Sequence, residues 1–276
     1  MGAGGAMRAI NRRLPLGLAV VPVALLGCHR AAVALTAIVP AGPFAMGTSD
    51  EERRQLVDLC EAKDWRCAAD SFASELPRRE VEVPRFEIDR LEVSNQRYED
   101  CVQRGDCQKR DMARCTLARS DPAPPPPELL ENQMPAVCVT WEQATRYCRA
   151  NGGRLPSEAE WEKAARGVDG RGFPWGNDWD PARANWGDDG KADGYVLSAP
   201  VGSFRTGASP YGALDMAGNV WEWVASLDQP ELRPDPGMKP TRGGGFAAYP
   251  LAMRAAKRAL QPENAAYGNV GFRCAK

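Results

Sequence analysis

The residues best placed to do chemistry lie in one run, Tyr211-Gly-Ala-Leu-Asp-Met-Ala-Gly-Asn-Val-Trp-Glu-Trp223. Asp215 and Glu222 set carboxylate oxygens at either end of a turn, and Gly218 and Asn219 between them suit backbone with positive φ. Trp221 and Trp223 alternate with Glu222, as on a strand with one buried face. Other chemistry is excluded by composition. The single histidine, His29, precedes any folded domain, which removes Ser-His-Asp catalysis, Cys-His catalysis and histidine metal ligation.

The elements that must hold this run are legible in part. Ile38-Val-Pro-Ala-Gly-Pro-Phe-Ala-Met-Gly47 reads as a strand, a Pro/Gly turn and a second strand. A polar stretch with Cys60 and Cys67 follows, read as a surface insertion closed by its own disulfide. Val81, Val83, Phe86 and Ile88 supply strand-like positions, and Ser94 is placed to cap a helix carrying Tyr98 and Val102. Prolines crowd residues 118–135, with four in a row from Pro124 to Pro127, which predicts an extended loop. Thr140-Trp-Glu-Gln143 and Ser157-Glu-Ala-Glu160 are capping boxes, so two helices follow, ended by Asn151-Gly152 and by Gly167. Beyond Gly167 the pattern dissolves into Gly, Asn, Asp and aromatic residues. So long an irregular stretch needs bound cations, disulfides or aromatic packing to hold it.

The first 27 residues read as an export signal. Arg8, Arg12 and Arg13 precede an uncharged run, Leu14 to Gly27, too short to span a bilayer as a mature helix. Leu25-Leu26-Gly27-Cys28 resembles a bacterial lipobox, which predicts a lipidated Cys28, a tether over 28–37 and one domain over 38–276. The expected location is the bacterial cell envelope, with membrane attachment through the lipid alone. Without the three leader arginines the 35 basic residues fall to 32 against 36 acidic ones, a formal charge of −4. Nothing there suggests nucleic-acid binding. After Cys28 eight cysteines remain, and an even count in an exported chain predicts disulfides. Cys60 and Cys67 pair by proximity. Cys101, Cys107, Cys115 and Cys138 allow three pairings.

Together with Arg154-Leu-Pro-Ser-Glu-Ala-Glu-Trp161, Leu91-Glu-Val-Ser-Asn95, Trp175-Gly-Asn177, Arg242-Gly-Gly244 and Gly271-Phe-Arg-Cys274, the run at 211–223 resembles the sulfatase-modifying-factor family, whose namesake is the formylglycine-generating enzyme. The resemblance covers about Ile38 to Lys276. It implies an α+β domain with the formylglycine-generating-enzyme fold, similar to C-type lectins, with much irregular structure. It also implies a disulfide between Cys148 and Cys274.

Family enzymes hold copper(I) through two thiolates shortly after a Gly-Gly-Ser segment, because soft Cu(I) demands soft sulfur ligands. In Gly243-Gly-Gly-Phe-Ala-Ala-Tyr-Pro-Leu-Ala-Met253, Ala248 and Met253 fall at those positions and Gly245 replaces the serine. No copper and no catalytic residue are therefore expected. The resemblance does carry over two calcium sites, whose ligands are the oxygens calcium favours. One would use Asn185, the Trp186 carbonyl, Asp193 and the Tyr195 carbonyl. The other would use Asp215, the Gly218 and Val220 carbonyls and Glu222. Relatives without the thiol pair act by binding or scaffolding. The expected function is thus a non-catalytic envelope lipoprotein whose partner is a protein, peptide or glycan. The alternative is a formylglycine-generating-type oxidoreductase or other protein-modifying enzyme using a different redox centre.

Overall fold

The computed structural model describes residues 1, 2, 4, 35–62, 72–187, 190, 192–225 and 236–276. The chain divides into Met1–Val33 and Ala34–Lys276, and the architecture below is that of the second unit. Cys28, His29, Cys67 and most of the expected leader lie outside the described residues. Among the described residues no helix is long and apolar enough to cross a membrane.

The fold is α+β with short elements. β1 (Thr36–Val39) and β2 (Gly42–Met46) do flank a Pro/Gly turn but do not pair with each other. β2 pairs antiparallel with β3 (Arg79–Val83), and β1 pairs antiparallel with β4 (Phe86–Asp89). The turn at Pro40–Gly42, where Gly42 has φ 130°, therefore sends the chain from one two-stranded sheet into another. Between β2 and β3 the polar stretch is more than an insertion: it forms a helix, α1 (Asp50–Ala62). Its start is fixed by reciprocal bonds: the Glu52 amide donates to Ser49 Oγ and the Ser49 amide to the Glu52 carboxylate. Cys60 is buried and disulfide-bonded.

The three helices read from caps form where expected. Ser94 Oγ accepts the Arg97 amide at the start of α2 (Asn95–Gln103). Complete capping boxes open α3 (Trp141–Ala150) at Thr140 and α4 (Glu158–Arg166) at Ser157. Asn151 closes α3, and Gly167, at φ 71°, closes α4. Every residue of α4 is buried although five of the nine are charged. Such a helix persists only if its charges are matched. Arg242 bonds Glu158 and Glu162, Arg166 bonds Glu162, and Lys163 Nζ donates to the Pro40 and Gly42 carbonyls. Trp161 carries α4 into the core over β1–β4.

A four-stranded sheet of order β7-β6-β5-β8 completes the unit: β5 is Trp221–Trp223, β6 Met238–Arg242, β7 Arg258–Pro262 and β8 Val270–Phe272. β5 runs antiparallel to β6 and parallel to β8, with Trp221, Glu222 and Trp223 opposite Val270, Gly271 and Phe272. Both faces of β5 are covered. Glu222 and Trp223 are each fully buried while Trp221 keeps some exposure, which corrects the reading of one buried face. Tyr98, Tyr147, Trp223 and Phe272 make a second core. Besides the bond at Cys60, three disulfides join described residues and tie the irregular segments down: Cys101–Cys107, Cys115–Cys138 and the expected Cys148–Cys274.

Candidate functional site

The turn that opens β5 is built on backbone few residue types tolerate. Asp215, Gly218 and Asn219 have φ of 55°, 80° and 63°. At Gly218 a Cβ would lie 2.1 Å from the Asn185 carbonyl oxygen, so only glycine lets the turn settle on Asn185. The Asn219 amide then donates to that carbonyl at 3.0 Å. The Asn219 side chain bridges two regions: its Oδ1 accepts the Ala199 amide, and its Nδ2 donates to both Glu92 oxygens at 3.1 and 2.9 Å.

The four residues of the first expected calcium set are brought together. Asp193 accepts the Trp186 amide at 2.8 Å on one oxygen and the Tyr195 amide at 2.7 Å on the other. Asn185 is fully buried, its Nδ2 donates to the Leu197 carbonyl, and among the described residues its Oδ1 has no hydrogen-bond partner. An orphaned buried amide oxygen costs stability unless something electropositive meets it. That oxygen is a hard donor of the kind calcium takes, so the residues fit the ion.

The second set is bound up with charge. Glu222 receives Arg273 in bidentate fashion, Nε to Oε2 at 2.7 Å and Nη2 to Oε1 at 2.6 Å, and Trp161 Nε1 also donates to Oε2 at 2.7 Å. The carboxylate thus bonds Arg273 and an indole rather than serving the turn alone. Asp215 is capped by the amides of Gly202 and Phe204. A third acid, Glu92, completes the cluster, and the sequence reading did not single it out although it lies inside the landmark Leu91–Asn95. Burial, then the nearby charges of Asp215 and Glu222, push the Glu92 carboxyl well above its ordinary value. Burial likewise pushes Asp215 up to about 6. Three buried carboxylates thus share one buried guanidinium, and the raised values mean that protons meet the excess negative charge unless a further cation replaces them. Among the described residues no three His, Cys, Asp or Glu side chains are grouped to hold a metal, so an ion here would depend on backbone carbonyls as well.

Where the resemblance places a thiolate pair, the structure places a hydrophobic turn. Met253 is fully buried and packs with Phe173, Ala184, Ala217, Trp175, Trp179, Trp186 and Ala248. The Gly187 amide donates to the Ala248 carbonyl at 2.9 Å, and a Cβ on Gly244 would come within 2.9 Å of Met253 Cγ. Phe173 stacks on Trp175 at 5.3 Å and Trp179 meets Trp186 edge-on at 5.4 Å. A lone thioether in such a setting cannot supply a thiolate, and copper(I) does not fit these residues. The seven cysteines among the described residues are all in disulfides. Cavities of about 620 and 200 Å³ lie elsewhere, beside Trp141 and Glu263 and between α1 and Phe173; neither is lined by Ala248, Met253 or the calcium sets.

Against known proteins, residues 27–276 match the profile of the sulfatase-modifying factor enzyme 1-like domain. The inactive C-alpha-formylglycine-generating enzyme 2 of Mus musculus is 31% identical over 282 residues, covering 86% of this chain and 84% of that protein. The formylglycine-generating enzyme of Thermomonospora curvata is 38% identical over 168 residues, covering 51% of this chain and 55% of the relative. Among solved structures, PvdO from Pseudomonas aeruginosa superimposes with a TM-score of 0.66 at 24% identity, covering 87% of this chain and 93% of PvdO.

Proposed function

The chain belongs to the sulfatase-modifying factor enzyme 1-like family, and from that premise we propose that it is a non-catalytic member, a calcium-stabilised binding or scaffold domain of a lipid-anchored protein in the bacterial cell envelope. The observation that carries this reading is Met253, fully buried among aromatic rings where a thiolate would have to stand, with Ala248 as its companion. A relative named as inactive, similar over most of the chain, supports it. The pairing of every described cysteine also weighs against a substitute thiol centre. The lipid anchor rests on the lipobox at Leu25–Cys28 alone. The purified protein should bind no Cu(I) at one equivalent and convert no cysteine of a sulfatase-type peptide to formylglycine. Oxygen consumption above a protein-free control would overturn the proposal in favour of a retained oxidoreductase.

Calcium would be held by Asn185, the Trp186 carbonyl, Asp193 and the Tyr195 carbonyl, and by Asp215, the Gly218 and Val220 carbonyls and Glu222. It would supply charge balance and rigidity. An ion that binds only the folded state stabilises it by about 2.7 kcal/mol at a hundredfold excess over Kd. For a domain this size that raises Tm by roughly 5–10 °C. Asp215 titrates higher in the fold than its ordinary 3.8, at about 6. The metal-free fold then binds more protons than the unfolded chain across that window, and its stability falls as pH rises through it. Calcium displaces the proton, so the calcium-dependent gain is largest above pH 6 and shrinks below it. Identical melting curves in calcium and in chelator at pH 7.5 would remove both sites from the reading.

A further inference from the structure

The proline run has no part in the sites above, and its covalent chemistry fixes its shape. Each proline holds φ near −65°, and each residue before a proline is pushed to extended ψ. Pro124, Pro125 and Pro126 are subject to both constraints, so one full turn of left-handed polyproline helix is dictated by sequence. Pro126, at φ −61° and ψ 148°, conforms. With three residues per turn, Pro124 and Pro127 fall on one edge, and both are exposed, while Pro125 and Pro126 between them are half-buried.

The segment is fastened at both ends. The Leu117 amide donates to the Ala123 carbonyl at 2.7 Å, and the Ala123 amide donates to Asp121 Oδ1 at 3.0 Å. On the far side the Leu129 amide donates to the Pro126 carbonyl at 3.1 Å, Leu129 is buried, and Asn95 Nδ2 holds its carbonyl at 2.9 Å. Gly268 admits the inner edge: a Cβ there would stand 3.2 Å from Pro125 Cβ. The Cys115–Cys138 disulfide closes the whole loop. The outer edge is therefore a rigid ridge, Pro124-x-x-Pro127, bracketed by the exposed acids Asp121 and Glu128.

We propose that this ridge is a recognition element, docked by a partner protein whose groove is lined with aromatic side chains and rimmed with basic ones. Such grooves take prolines spaced by three because the ligand is already ordered and loses little entropy on binding. The acids at either end set the sign of the rim. The inference uses no residue of the calcium sets or of the Ala248–Met253 turn and does not depend on whether an activity is retained.

The test places a photoreactive benzoylphenylalanine at Ala123 or at Glu128 of the full chain, in intact cells of the organism that makes it, with Val168, also exposed, as the control position. A discrete protein adduct should form at 123 or 128 and not at 168, with the cross-linked partner residue in an aromatic-lined groove. The free peptide acetyl-Asp-Pro-Ala-Pro-Pro-Pro-Pro-Glu-amide in permeabilised cells, or Pro124→Ala with Pro127→Ala, should cut its yield at least tenfold. The ridge is refuted if no adduct exceeds the Val168 control, or if the adduct resists both peptide and substitution. Because both prolines are exposed, the double variant should melt with the parent, and the peptide arm reads the ridge without any variant.

Discussion

Replacing Arg273 by methionine should cost about 3–5 kcal/mol of stability, the usual penalty for leaving a buried carboxylate unpaired. Arg273 is fully buried and its guanidinium spends its donors on the Glu222 carboxylate and the carbonyls of Asp89, Arg90 and Leu214. Burial works against its charge, yet Glu222, Glu92 and Asp215 together hold its pKa above the ordinary value. Methionine fills much of the space but strands three acids. Lysine should restore less than half of the loss, since an ammonium cannot make the two-pronged contact or reach three carbonyls at once. The signature of the charge effect is its pH dependence in chelator. Acids whose folded pKa is raised gain stability as pH falls, so the methionine variant should lose less at pH 5 than at pH 7.5 in urea unfolding. An equal loss at both values would mean that packing, not charge, is what Arg273 contributes.

The partner of Glu222 shows where a reading of the chain alone stops. Capping boxes are local, so Thr140–Gln143 and Ser157–Glu160 announced α3 and α4 within four residues, and positive φ at Gly218 and Asn219 followed from residue type. The alternation Trp221-Glu222-Trp223 is also local, but it encodes only that side chains point to opposite faces. Whether the second face is wet depends on a strand that pairs in parallel from 49 residues on, and β8 brings Arg273 with it. Covered on both faces, β5 can bury Glu222 only because that arginine arrives. Glu92 was hidden for the same reason: its bond to Asn219 spans 127 positions. The helix α1 escaped differently. Its Ser49–Glu52 box was there to be read, but a helix this polar offers a weak apolar stripe beside two nearby cysteines. The calcium oxygens are the reverse case. Asn185 and Asp193 came from family resemblance rather than spacing, and the fold sets the Asp193 carboxylate on the amides of Trp186 and Tyr195.

Chain-entropy differences should order the three disulfides, because they close loops of very different length. Sequence separations are 126 for Cys148–Cys274, 23 for Cys115–Cys138 and 6 for Cys101–Cys107. Removing each pair as a double alanine variant should cost about 5, 3 and 2 kcal/mol respectively in the chain-entropy model. All three pairs are buried, so the cavity left by lost sulfur is similar and does not reverse the order. Cys148 and Cys274 have a further consequence. They fasten α3 to the residue after Arg273, beside the stacked rings of Tyr98 and Tyr147 and the edge of Phe272. Freed of that link, the C-terminal segment must hold both β8 against β5 and the guanidinium against Glu222 through non-covalent contacts alone. Guanidinium chloride midpoints at matched m-values would give the ranking directly. Three equal losses would show that these bonds act through the native packing they join, and the loop-length argument for Cys148–Cys274 would fall.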